Sequence, residues 1–349
     1  MAGNVVPFLF QSICFLSTII QTIIYLWNCI VISAKKKPFE QIGIRLHHNL
    51  IRKIMKCSNS IIVRLAGGLG NQLYQYAMGR SLSLRTGRPL LLETRNTSRD
   101  SNRNYELSVF NIKEQHVDSL NRWCTRWAAS NSTGKLFRTL CPLAWNYKIV
   151  HDKEAGFDPS VFNLEMGMIV LEGYWQSFKY FEPYQDIIRT ELTFKRAPTV
   201  HDARMIDDIE SVQSVAVHVR RGDYVTNPNI NTYHGTCTPE YYQKANNYID
   251  RNVNKPHFFV FTDDPEWVKE ELTFPGPTKI VDHNLGKADY EDFRLMTHCK
   301  HFIIANSSFS WWGAWLAHHP DKTVIAPVNW FKIDNFPPED RILKEWIRL

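Results

Sequence analysis

From Ser214 onward the chain alternates short apolar runs with amphipathic stretches: SVAVHV, a helical segment over 238–251, HFFVFT, a helix over 265–272, TKIVD, a helix over 288–300, HFIIA, a helix over 308–319, and KTVIAP. Strands joined through helices by connections this short must run parallel, and a parallel sheet has to be covered by helices on both faces. Open sheets of this kind bind ligands at the carboxyl ends of their strands, so the residues that follow each apolar run become the candidates for chemistry. A second unit of the same kind stands upstream. There IIVRL, the tight turn AGGLGNQ, the helix LYQYAMGRSLSLRT and the strand RPLLLE spell β-α-β. Residues 98–199 are less regular, with Trp123, Trp127, Trp145 and Trp175 among turn residues, and read as the rest of a first α/β domain with inserted helices.

At 349 residues, 44% apolar and 22% charged, the chain is globular and long enough for two domains. Its net charge of +6 is spread out, with no basic block beyond Lys35, Lys36 and Lys37, which calls for no nucleic-acid partner and leaves anionic small ligands open. The first 34 residues carry no charged side chain. Residues 8–32 would span about 37 Å as a helix, against a hydrocarbon core of about 30 Å. No small-residue cleavage pattern precedes Lys35, so an uncleaved signal-anchor is expected rather than a signal peptide. The resulting division is a cytoplasmic tip and transmembrane anchor over 1–34, a stem over 35–59, an N-terminal α/β domain over 60–200 and a C-terminal α/β domain over 201–349. The lysines after the span favour a cytosolic body. The acceptor triplets at Asn96 and Asn131 favour a lumenal one. Five cysteines follow the anchor, Cys57, Cys124, Cys141, Cys237 and Cys299, without metal-ligand spacing; in an oxidising lumen one or two disulfides fit, with pairing open.

Three strand ends carry the candidate chemistry. In AGGLGNQ, Gly67, Gly68 and Gly70 allow close backbone approach and present helix N–H groups to an anion or a sugar, but the dinucleotide fingerprint would place a third glycine where Leu73 stands. In VHVRRGDY (residues 217–224) the buried strand delivers Arg220 and Arg221 at its end, two planar forks suited to a diphosphate. Arg220 is the expected phosphate ligand and Arg221 the more structural of the pair, bound to Asp223 or another carboxylate. His218 suits either a base or an orienting group. In NSSFSWWGAWLAHH, Asn306, Ser307 and Ser308 end a strand and open a helix, forming a second anion cradle, and Trp311, Trp312 and Trp315 supply an aromatic face, with packing of the helix on its sheet the alternative for Trp312 and Trp315. Asp263, Asp264 and Asp292 stand where carboxylates can read a nucleobase edge or ribose hydroxyls, with a plain helix cap as the alternative for Asp264. No carboxylate pair of the DxD type follows a strand, so a diphosphate would be met by arginine and helix termini.

With these residues placed, GGLGNQLYQYAMGRSL, HVRRGDY, FTDDPEW and IIANSSFSWWGAWLA together resemble the motif set of GDP-fucose-dependent galactoside α1,2-fucosyltransferases, in order and over residues 61–327. HxRRxD is shared with other fucosyltransferases; SSFSWWGAWL is the more specific element. The resemblance implies a GT-B-like fold, two Rossmann-like domains facing a cleft. The N-terminal domain would take a galactose-terminated glycan acceptor and the C-terminal one GDP-fucose. It further implies an inverting reaction with no metal, and a type II Golgi anchor with a lumenal body. Matched by motif, His218, Arg220 and Asp223 line the catalytic loop; Arg220, Arg221, Asp292, Ser307, Ser308, Phe309 and Asn71 contact the donor. Asp223 and His218 both remain candidates for the general base. Residues 96–148 match nothing in the motif set and are assigned to acceptor choice. Three other readings stand beside this one: fucosyl transfer to another hydroxyl or to a peptide, a silent membrane-anchored glycan- or nucleotide-binding protein, and a dinucleotide oxidoreductase resting on the glycine turn alone. Oligomeric state is open.

Overall fold

Apolar runs without polar alternation make strands that are buried on both faces, and the chain has two groups of them. The computed structural model describes residues 59–94, 104–113, 115–117, 147–153, 156–164, 167–222, 225, 232, 235–284, 289–331 and 340–349. The first group, β1 (Ile61–Arg64), β2 (Leu90–Glu93), β3 (Tyr147–His151) and β4 (Met168–Glu172), forms a parallel sheet in the order β2-β1-β4-β3. α1 (Leu69–Thr86) joins β1 to β2. After α2 (Gln185–Glu191) and α3 (Val200–Ser211), the second group begins with β5 (Gln213–Val219), α4 (Pro239–Asn252), β6 (Pro256–Thr262) and α5 (Pro265–Glu271). It continues through β7 (Thr278–Val281), α6 (Asp289–Thr297), β8 (His301–Ile303), α7 (Ser308–Leu316), β9 (Val324–Ala326) and β10 (Ile347–Arg348). These six strands are all parallel, in the order β10-β9-β8-β5-β6-β7. The alternation seen in the sequence is therefore the alternation of the fold.

Residues 57–349 belong to one compact unit. One apolar cluster runs through it from Val63 of β1 and Leu73 of α1 to Ala216 of β5, Phe302 of β8 and Trp312 of α7. β5 is buried on both sides: Ala216 joins that cluster, while Val215, Val217 and Val219 pack with Tyr242, Ala245 and Ile249 of α4. The period of two puts His218 on the same side as Ala216. The anchor, the stem up to residue 58, and the triplets at Asn96 and Asn131 lie outside the described residues, as do Cys57, Cys124 and Cys141. Among the described residues no helix is long and apolar enough to cross a membrane. Cys237 and Cys299 are free thiols, and burial pushes Cys237 up to about 12, so neither is poised to react.

Three helix boundaries differ from the sequence reading by three residues or more, one of them the end of α6, which stops at Thr297 rather than at residue 300. α1 opens at Leu69, within the expected turn, so Gly70 and Asn71 sit in its first turn. α7 stops at Leu316 because Ala317 turns to extended ψ, and Lys322 donates to the freed carbonyls of Ala314 and Ala317 at 2.8 Å each.

Gly79 shows why a long helix tolerates its weakest former. A Cβ there would lie 2.2 Å from Val63 Cγ2 and 3.0 Å from Leu90 Cδ1, so the glycine sets how closely α1 rests on β1 and β2. Gly79→Ala gains about 1 kcal/mol of helix propensity yet overpacks a filled core, which costs typically 1–3 kcal/mol. The expected result in urea unfolding is a net loss of stability; a gain would mean that the helix lifts off the sheet without cost.

Candidate active site

Each sheet has one place where the strand order reverses. In the second sheet the chain runs outward from β5 through β6 and β7, then returns to build β8, β9 and β10 on the other side of β5. In the first, β2 lies on one side of β1 and β4 and β3 on the other. Such switch points leave a crevice at the carboxyl ends of the two diverging strands. The crevices therefore fall between β5 and β8, where Val217 stands opposite Ile303, and between β1 and β4, where Val63 stands opposite Leu171. Three of the four strand ends involved were singled out from sequence.

The two crevices meet through their helices. A Cβ on Gly70 would lie 2.5 Å from the backbone of Ser308 and Phe309, so the first turn of α1 touches the first turn of α7 with no room for any side chain. Ser308 Oγ donates to Asn71 Oδ1 at 2.9 Å across this junction. Neither helix start has a side-chain cap, and neither has an acidic residue in its first turn. Two positive helix ends thus face one another with nothing of opposite sign on either helix, which disposes the junction to an anion. The cradle at α7 differs from expectation in one member. Asn306 is buried and donates to Gly235 O at 3.2 Å and Trp330 O at 3.1 Å, fixing two loops rather than facing a ligand. Ser307 is the cap residue of α7 and Ser308 and Phe309 form its first turn.

The tryptophans settle as core. Trp311 and Trp312 are fully buried and Trp315 nearly so; Tyr74 of α1 lies 4.9 Å from Trp311, and Phe181 stacks on Trp312 at 5.1 Å and 14°. Together these rings lock α7 to α1, so the expected aromatic face toward a ligand is not there, Trp311 included. Phe309, next to them in sequence, is half-buried and does face the site. Its ring stacks on His218 at 5.6 Å and meets Phe293 of α6 edge-on at 5.3 Å.

At the end of β5, Arg220 pairs with Asp263 (Nη1 to Oδ2, 2.8 Å) with a quarter of its side chain exposed. Arg221 is committed elsewhere. It pairs with Asp264 at 3.0 Å, its guanidinium lies 4.1 Å over the Trp267 ring, and its N–H donates to Asp263 Oδ1 at 2.8 Å. Asp264 also accepts from Trp267 N, so it is the cap of α5 as well as a counter-ion. Asp223 lies outside the described residues. Among the described residues no partner reaches Nδ1 of the buried His218, and burial pushes its pKa down to about 4 despite the attraction of Asp263, so the ring is neutral at neutral pH.

Asp292 stands apart from this group at the start of α6. Asn284, just past β7, donates to Asp292 Oδ1 and to Asp202 Oδ1, both at 3.0 Å, and His283 lies 2.9 Å from Asp202. Burial drives Asp202 upward, but hydrogen bonds from Thr199, Asn284 and His283 outweigh it and hold the carboxyl low. Burial drives Asp292 upward, the Asn284 hydrogen bond and the charge of His283 oppose it too weakly, the carboxylates of Asp289 and Asp202 add to the rise, and its pKa reaches about 7. Asn284, Asp202 and His283 carried no motif, and only the fold brings them under Asp292.

The fourth strand end was missed. After β4 the backbone passes through Gly173 at φ 139° and Trp175 at φ 55°, a left-handed conformation that a bulky residue rarely holds. Gln176 follows, and its Nε2 donates to Asn71 Oδ1 at 2.8 Å. No motif marks it. The signal was topological: β4 had to be known as the neighbour of β1.

Residues 156–349 match the model of Glycosyl transferase family 11. An α-1,2-colitosyltransferase of Escherichia coli is 33% identical, covering 83% of this chain and 98% of its own length. A galactoside 2-α-L-fucosyltransferase of Caenorhabditis elegans is 26% identical over 49% of each chain. The crystal structure of the fucosyltransferase NodZ from Bradyrhizobium is 15% identical, covers 74% of this chain and 94% of its own, and superposes with a TM-score of 0.43. With a family match over more than half of its length and a relative at this identity over most of it, the chain is a glycosyltransferase and belongs to glycosyl transferase family 11.

Proposed function

We propose that the chain transfers L-fucose from GDP-fucose to the 2-hydroxyl of a terminal galactose, with inversion at the anomeric carbon. The observation that carries the reading is the contact between two uncapped helix starts, α1 and α7, beside the end of β5 that bears Arg220. A glycosyl transition state is oxocarbenium-like, and the charge that develops leaves with the diphosphate. Preorganised N–H groups and a guanidinium stabilise that charge without reorganising. Arg220 would leave Asp263 for the phosphates, while Arg221, held by Asp264 and Trp267, keeps the loop in place. The proposal places the donor on the second sheet and the acceptor on the first, a GT-B-like arrangement, and places the apolar N-terminal stretch in a Golgi membrane with the body lumenal.

His218 is assigned an orienting role. A proton taken from the acceptor would make it a buried cation beside Arg220, which its surroundings oppose. Asp223 is then the candidate base. A second reading is supported by the named activity of the E. coli relative, a colitosyl transfer with the same 1,2 linkage. Colitose is fucose without the 3-hydroxyl, so competition between the two donors separates the readings.

Three outcomes are expected. Incubation with GDP-fucose and galactose-terminated acceptors in EDTA yields a Fucα1,2Gal product, identified by the linkage; a different linkage, or turnover of only the 3-deoxy donor, replaces the reading. Arg220→Lys keeps the charge but loses the fork, and lowers kcat/KM about 100-fold; an unchanged value removes Arg220 from the donor site. Asp292, with a pKa of about 7, accepts from a nucleobase edge with both of its oxygens only when ionised. GDP affinity therefore falls as pH drops below 7, by up to about tenfold per unit. Because GDP itself titrates, the slope is measured against Asp292→Asn, which is expected to lack it; parallel slopes would take Asp292 out of the nucleotide site.

A further inference from the structure

Asn71 is a neutral amide with one acceptor end and one donor end, and which end faces the cleft decides what it can do there. Two donors converge on its oxygen: Gln176 Nε2 at 2.8 Å from the end of β4, and Ser308 Oγ at 2.9 Å from the start of α7. Turning the amide over would set its NH2 against the NH2 of Gln176. Its Nδ2 is thereby directed over the glycine turn, where a Cβ on Gly67 would come within 2.6 Å of it. Gly67, at φ 74°, is needed both for its backbone and for the space the Asn71 amide occupies.

Gln176 is itself held in place with unusual thoroughness. The left-handed Trp175 is kept by its N–H donating to Asp152 Oδ2 at 2.7 Å, and Gly173 O accepts from Gln75 Nε2 at 2.9 Å. The other end of the Gln75 amide accepts from Ala66 N at 3.0 Å, tying the turn after β4 to the turn after β1. At Gly173 a Cβ would fall 2.1 Å from Asp152 Cβ. Strain of this kind persists only where the surroundings over-determine it, and here it brings one side chain to one amide oxygen.

We propose that Gln176 is a positioning residue that fixes the Asn71 side chain with its NH2 group toward the reacting donor, so that Asn71 donates to a sugar or leaving-group oxygen. The inference rests on the glycosyl-transfer reading of the site. Gln176 touches no reacting atom; it acts through Asn71, and Ser308 supports it from the start of α7.

The test is a mutant cycle on the full chain, with kcat, the KM for the nucleotide sugar and the thermal midpoint measured for each variant. Gln176→Glu keeps the size but turns the donor into an acceptor, so the amide reverses and presents its oxygen to the donor; kcat falls about 30-fold while the donor KM stays within about twofold. Gln176→Ala leaves Ser308 as the remaining donor and costs less, about threefold in kcat. In the Asn71→Ala background, Gln176→Glu costs nothing further. The loss of the Glu effect in the Asn71→Ala background, at unchanged thermal midpoint, is the signature that neither a structural glutamine nor a carboxylate acting by its charge alone would give. An active wild type whose Gln176→Glu retains full kcat, loses more from Ala than from Glu, or loses as much again on top of Asn71→Ala overturns the inference alone. A wild type that transfers no sugar from any nucleotide donor overturns the reading of the site, and the inference with it.

Discussion

Everything at this site depends on two helix N-termini touching. Helix ends of like sign repel, and each leaves backbone N–H groups without intrahelical partners. The protein brings α1 and α7 together regardless, through a glycine at position 70 that admits the Ser308–Phe309 backbone and through an aromatic cluster of Tyr74, Phe181, Trp311 and Trp312 that supplies the apolar contact behind it. Packing thus holds in place an arrangement that electrostatics alone would separate. The unfavourable juxtaposition would become favourable with the proposed diphosphate against it, which would link the buried tryptophans physically to the chemistry above them.

The arginines follow the same logic at a second level. Side by side in sequence, they end in different environments because a strand end changes direction there. Arg221 spans Asp264 and the face of Trp267, a geometry in which charge, fork and ring are all satisfied. Arg220 pairs with Asp263 and keeps a quarter of its side chain exposed. That exposure makes Arg220 the arginine proposed to meet the diphosphate, while Arg221 anchors the loop.

Much of this was legible in the sequence. Alternation after Ser214 dictated a parallel sheet, and the strand ends it marked, at His218 to Arg221 and at Asn306 to Phe309, are the ends flanking the switch point. What was not legible has a common cause. Gln176, Asn284 and Asp202 act through partners distant in the chain, and no local pattern distinguishes a glutamine after a strand from any other polar residue. Strand order, which places β4 beside β1, is a property of the assembled sheet. The same holds for the tryptophans and Asn306: their residue types suit a ligand face and an anion cradle, and only the packing of α7 on α1 and the carbonyls of Gly235 and Trp330 show them to be structural.

The position of the proposed diphosphate decides the role of this junction, and a crystal structure of the protein with GDP measures it directly. The predicted result is a diphosphate at the junction of α1 and α7, within hydrogen-bonding distance of the Ser308 or Phe309 backbone N–H, with the Arg220 guanidinium turned from Asp263 to a phosphate oxygen. A diphosphate bound away from that junction, with the Arg220–Asp263 pair intact, would contradict it.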